Sequence, residues 1–216
     1  MAILPQIVAG IDVGGPKKGF HGVALSHGQY LAKFATPDAG QMAEWCREIG
    51  ASAIGIDAPC RWSATGRARP AERALAKELI SCFATPSKEA AQSNPFYAWM
   101  NNGAALFGKI EQHYALFDGQ PLRQGSKVCF ETFPQAIACV LAGERVSAKN
   151  KGKVRRELLV KANVAIDALT NIDTVDAALC ALAAHYVLLG RYRMFGDAQT
   201  GFIVVPSIAE MERNRG

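Results

Sequence analysis

The sequence predicts an α/β fold built on a mixed sheet, with three antiparallel strands leading into parallel ones and helices packed around them. Three observations carry that expectation. Residues 7–34 hold three apolar segments separated by glycine-containing turns. Residues 53–57 repeat the ending of the first segment, Gly-Ile-Asp, after an intervening helical stretch. The rest of the chain alternates helical periodicity with short apolar runs, the sequence signature of a sheet covered by helices.

The chain has 216 residues, 50% of them hydrophobic, which suits one ordinary domain with a buried core. No apolar run approaches the roughly 20 residues that span a bilayer. The opening Met-Ala-Ile-Leu-Pro lacks the basic segment and apolar core of a signal peptide. The six cysteines are scattered without a Cys-x-x-Cys pair, as reduced, buried thiols of a cytoplasmic protein would be. The four histidines show no zinc-like spacing. Net charge is +5, mildly basic and compatible with a polyanionic partner.

Residues 7–13 are nearly all apolar and read as a central strand buried on both faces. Gly14, Gly15, Pro16 and Gly19 make a turn, and residues 20–25 and 30–34 form a hairpin joined by Ser26 to Gln29. Thr36 reads as a helix cap with Pro37 in the first turn, and Gly50 stops that helix. A helix between consecutive strands makes a right-handed crossover, so residues 53–56 should run parallel to the first strand. Helices are expected over 71–82, from Phe96 to Phe117, from Pro134 to about Ala142, and through Val154 to Leu169. The last helix should begin at Asp173 and stop at Gly190. Short strands are expected at 127–131 and 201–205.

Asp12 sits at the end of a buried strand, where a charge is costly unless it is hydrogen-bonded, paired or bound to a metal. It could equally begin the Gly14-Gly15 turn. Asp57 offers the same alternatives, ligand or strand-end turn former. Both acids, however, occupy carboxyl ends of expected parallel strands, where open α/β sheets place their ligands. Two carboxylates there repel unless a cation lies between them. Glu131 is a third strand-end acid. Asp173 reads as the N-cap of the last helix and Asp176 as its capping-box acid, although Asp176 also borders the buried face. Carboxylates converging without a patterned histidine or thiol favour hard ions, Mg2+ or Mn2+. Two such ions form the clamp used in phosphoryl displacement.

Gly10-Ile-Asp-Val-Gly14, Gly55-Ile-Asp-Ala-Pro59, Glu131-Thr-Phe-Pro134, Asp173-Thr-Val-Asp-Ala-Ala178 and Gly201-Phe-Ile-Val-Val-Pro206 together resemble the ribonuclease H-like superfamily. More closely they resemble the group called domain of unknown function 429, described as predicted nucleases. The Asp-x-x-Asp-Ala element is similar to that of bacterial Holliday-junction resolvases. The resemblance spans nearly the whole chain. It implies one ribonuclease H-like domain over 1–216, with a helical insertion at about 60–120. Its sheet would have three antiparallel strands, then two parallel ones, plus a short C-terminal strand. It implies metal ligands at Asp12, Asp57 and Asp176, with Glu131 and Asp173 as further members.

Arg61, Arg69 and Arg73 follow Asp57 in an arginine-rich loop, and with Lys17 in the glycine turn they are candidates for phosphate contacts. Residues 145–161 are rich in lysine and arginine and could track a nucleic-acid backbone or form a solvated face. Trp62, Tyr97, Trp99 and Phe107 read as packing residues. The expected function is a nuclease using two divalent ions on DNA or RNA. A small-molecule phosphotransferase of the actin-like ATPase type shares the strand-Asp-x-Gly-Gly opening. The chain is too short for the duplicated fold of that class and lacks its adenosine loop. A non-catalytic module binding nucleic acid is the third class.

Overall fold

A computed structural model describes residues 6–147 and 149–208. Strands β1 (Ile7–Val13), β2 (Phe20–Ser26) and β3 (Gln29–Thr36) form the antiparallel meander. Helix α1 (Ala39–Glu48) then returns the chain to β4 (Ala53–Asp57), which pairs parallel with β1. After helices α2 (Pro70–Lys77), α3 (Lys88–Ser93) and α4 (Ala98–Ile110) come the two-residue strand β5 (Ala115–Leu116) and then β6 (Val128–Glu131), parallel to β4. Helices α5 (Pro134–Ala142), α6 (Lys151–Lys161) and α7 (Ile172–Leu188) precede the hairpin β7 (Tyr192–Asp197) and β8 (Gly201–Pro206).

The sheet order is β3-β2-β1-β4-β6-β8-β7, with β5 also pairing with β6. Its first five members are the arrangement expected from the sequence, β2 alone running against the other four. The expectation of five strands and a short C-terminal one undercounts the sheet. β8 does exist, but it pairs parallel with β6 and carries β7 outside it as an antiparallel edge. β7 was missed because Tyr192 to Asp197 reads Tyr-Arg-Met-Phe-Gly-Asp, too short and polar an alternation to stand out.

Helix ends also shift. Asp38, not Thr36, caps α1, its side chain accepting from the Gln41 N–H, while Thr36 ends β3. Asn171 and Thr174, not Asp173 and Asp176, form the reciprocal cap of α7. α2 ends at Lys77 rather than reaching Cys82, and the expected helix through Val154 to Leu169 stops at Lys161.

Two apolar layers flank the sheet, and strand alternation sorts residues between them. Val8, Val23, Leu25, Val128 and Phe130 pack with α7 and α5 on one face. Ala9, Ile11, Ile54, Ile56 and Cys129 pack with α1 and α4 on the other. α7 is apolar nearly all round and lies across β1, β2 and β4. Its approach depends on two glycines. A Cβ at Gly10 would lie 2.0 Å from the Ala181 nitrogen, and one at Gly55 would lie 2.5 Å from the Cys180 carbonyl oxygen. The chain therefore spends glycine at the point of crossing and places its aspartates two residues later on the same face.

Candidate metal centre

That face is where the site forms. Asp12 and Asp57 are register partners on β1 and β4, and His21 is the register partner of Asp12 on the other side, on β2. Partners in register project to the same side, so all three point toward the layer of α7. The first turn of α7 brings Asp173 there, and Asp176 follows one turn on. The positive end of the helix dipole thus faces a group of acids.

One donor atom each from Asp12, His21 and Asp173 lies within 4.8 Å of the other two. His21 joins the acids although no histidine is patterned with them in the sequence. Spacing along the chain could not reveal it, because its place comes from pairing across the β1–β2 hairpin. The signal that could have found it was the antiparallel register itself, which sets Asp12 opposite His21. The His21 Nδ1 is buried and has no hydrogen-bond partner among the described residues.

The acids differ in how their charge is met. Asp173 pairs with Lys18, whose side chain is half exposed. Asp176 pairs with Arg155 and, at 3.7 Å, with Lys151. Asp12 and Asp57 have no hydrogen-bond or ion-pair partner among the described residues. Burial, then the charges of Asp176 and Asp173, push the Asp12 carboxyl up to about 7. Burial, then the charges of Asp12 and Asp176, hold Asp57 well above the usual carboxylate range. Burial also raises Asp176, against the pull of Arg155.

Glu131 is not brought into this group. It is in register with Ile56, hence on the opposite face of the sheet from Asp57. Arg69 grips both its oxygens, at 2.6 and 2.9 Å, and the Cys60 N–H donates to it at 2.9 Å. Arg69 is only 2% exposed and also binds Glu72 at 2.9 Å. Expected in a flexible phosphate-binding loop, Arg69 is instead the N-cap residue of α2, buried between two carboxylates. Glu131 and Asp57 still reach one small cleft together, lined also by Trp99 and Phe133.

Among the other expected phosphate contacts, Arg61 is exposed and pairs with Glu111 at 2.8 Å. Arg73 is exposed and donates to the Ala68 carbonyl. Lys17 is exposed in the β1–β2 turn. The basic run divides by role: Lys149, Lys151, Lys153 and Lys161 are exposed, Arg155 is buried, and Arg156 donates to the Leu169 carbonyl at 2.5 Å. Phe107 is core, whereas Tyr97 and Trp99 are half-buried beside exposed Phe96 and Phe83.

The donor set fits a divalent cation. Two carboxylates and an imidazole crowd one another, and the neighbouring Asp57 is held well above the usual carboxylate range by burial and by Asp12, the Arg155 charge offsetting only part of this. Asp12, Asp173 and His21 could hold such an ion, with Asp57 beside Asp12.

A family model described as "Protein of unknown function (DUF429)" matches residues 10–200. No curated protein matches the chain. Among solved structures, one titled "Thermus thermophilus RuvC structure" is 17% identical, with a TM-score of 0.47. The alignment covers 86% of this chain and 97% of that one, a likeness too slight to carry an argument.

Proposed function

The chain belongs to the DUF429 family, and from that premise and the acidic site we propose that it is a divalent-metal-dependent nuclease, hydrolysing nucleic-acid phosphodiester bonds. The observation that carries this reading is the Asp12–Asp57 pair. Two neighbouring carboxylates at strand ends, raised by burial and by the acids around them, cost stability unless a cation joins them. That cost is the mark of a site kept for binding.

A bound ion would supply charge neutralisation and Lewis acidity at the scissile phosphate. The chain's own residues do the rest. Asp12, Asp57 and Asp173 offer oxygens, and His21 a nitrogen, from three strands and a helix that fix their positions. Lys18 holds Asp173 from solvent and is exposed enough to turn toward a phosphate oxygen. Lys17 and Lys151, both exposed, extend positive charge around the acids, as contact with a phosphate backbone requires. Arg61 and Arg73 lie on the loop and helix after β4 and could meet more distant phosphates. All six cysteines are free, in keeping with a reducing compartment such as the cytoplasm. Among the described residues no helix is long and apolar enough to cross a membrane.

The test is cleavage of end-labelled DNA and RNA in single-stranded, duplex and branched forms, with Mg2+ or Mn2+ added after chelation. Metal-dependent cleavage should fall at least a hundredfold in Asp12→Asn and in Asp57→Asn, the order expected when charge stabilisation at the reacting centre is lost. Cleavage that survives both substitutions would sink the assignment.

A further inference from the structure

The two-ion expectation counts Asp176 among its ligands, and Asp176 is already committed. Its Oδ1 accepts from the Arg155 guanidinium, and its Oδ2 faces the Lys151 Nζ at 3.7 Å. Asp176 and Arg155 are each only 5% exposed. The guanidinium is fixed from a second direction too, since Nη2 donates to the Gln135 side chain on α5 at 3.0 Å. Lys151 and Arg155 are four apart on α6, so one helix face delivers both cations to one carboxylate. A buried arginine held by two helices does not step aside as an exposed lysine can, because leaving would strand a charge in the interior.

The contrast with Asp173 is direct. Its partner Lys18 has a side chain 52% exposed, against 6% for Arg155, and can swing into solvent when an ion arrives. Charge balance agrees. Asp12, Asp57, Asp173 and Asp176 bring four negative charges when ionised, and with Lys18 turned away Lys151 and Arg155 bring two positive ones. One divalent ion makes the group neutral. A second would leave it at +2 before substrate arrives.

We infer that Arg155, supported by Lys151, occupies the electrostatic place of a second metal, so that the site holds one divalent cation and Asp176 positions Arg155 instead of ligating. The inference rests on the metal-binding reading of the same site and replaces the two-ion expectation with an ion plus a resident guanidinium.

The experiment is calorimetric titration of the full chain with Mn2+ after chelator treatment. Wild type should bind one ion per chain. The charge-neutral double variant Arg155→Gln/Asp176→Asn should still bind one, with Kd within about threefold of wild type. Arg155→Gln alone frees Asp176 and should bind a second ion. Asp12→Asn should weaken binding at least about tenfold. Two ions on the wild-type chain, or a double variant that loses the ion as Asp12→Asn does, overturns the inference and leaves the nuclease reading standing. No ion on the wild-type chain overturns both. If Arg155→Gln fails to fold, the wild-type count and the double variant still decide.

Discussion

Asp12 and Asp57 stand in register on adjacent parallel strands, and the charge of Asp12 raises the affinity of Asp57 for a proton. The consequence for the metal-free protein is a stability that falls with pH. Asp12 titrates near 7 folded and, at its ordinary value, near 3.8 unfolded. The folded state therefore binds the proton more tightly. The contribution is fully present below about pH 3.8 and is lost as pH rises through 7. At 1.36 kcal/mol per unit, the loss amounts to at most ~4 kcal/mol by pH 8. Asp12→Asn removes it. In chelator, melting curves should show the variant more stable than wild type at pH 8, by roughly 10 °C at most, with the gap closing near pH 4. A gap that does not change with pH would show that Asp12 is not the buried, raised acid described.

Gly10 decides whether α7 can reach the sheet at all. Its added Cβ would meet the Ala181 nitrogen at 2.0 Å and the Ala177 oxygen at 2.1 Å, both backbone atoms that no side-chain rotation can move. Gly10→Ala should therefore cost more than ordinary overpacking, about 3 kcal/mol or beyond, and lift Asp173 away from Asp12. Urea unfolding measures the first effect, and Mn2+ titration of the folded fraction the second. A variant with wild-type midpoint and affinity would mean that α7 does not cross where it is placed.

Glu131 separates architecture from chemistry. With Arg69 and Glu72 it forms a buried triad joining β6 to α2, and breaking such a pair by removing one charge costs about 3–5 kcal/mol. Glu131→Gln should lower the urea midpoint accordingly, while Mn2+ affinity stays within about threefold of wild type. The reverse pattern, unchanged stability with lost affinity, would return Glu131 to the ligand set.

What was legible in the sequence follows from which residues signal locally. The Gly-Ile-Asp endings at Asp12 and Asp57 stand out because a charge closing a run of buried strand residues is costly, although a strand-end turn accounts equally well for either acid taken alone. Glu131 has the same local signature, yet one residue of register puts it on the other face, and register across strands is not written in either strand alone. His21 is the complementary case, invisible until β1 and β2 are paired. Arg69 and Arg155 read as surface charge because arginines in basic stretches usually are. Their burial depends on carboxylates 62 and 21 residues away. The cap of α7 moved to Asn171 for a local reason: Asn171 and Thr174 satisfy one another's backbone, which leaves Asp173 free to face the site.

His21 should leave a spectroscopic mark on whatever ion the site takes. One of its ring nitrogens lies within 4.8 Å of carboxylate oxygens from Asp12 and Asp173, and its buried Nδ1 has no hydrogen-bond partner among the described residues. An imidazole favours manganese and later first-row ions over magnesium, which prefers oxygen. Electron spin echo spectra of the Mn2+-loaded protein should carry nitrogen modulation that changes when histidine is labelled with 15N. The modulation should disappear in His21→Gln. The same variant should lose at least about fivefold in Mn2+ affinity while Mg2+ affinity changes by less than about twofold, since only the nitrogen donor has been removed. Mn2+ bound with no nitrogen modulation would make His21 a neighbour of the ion, leaving the aspartates as its whole protein ligand set.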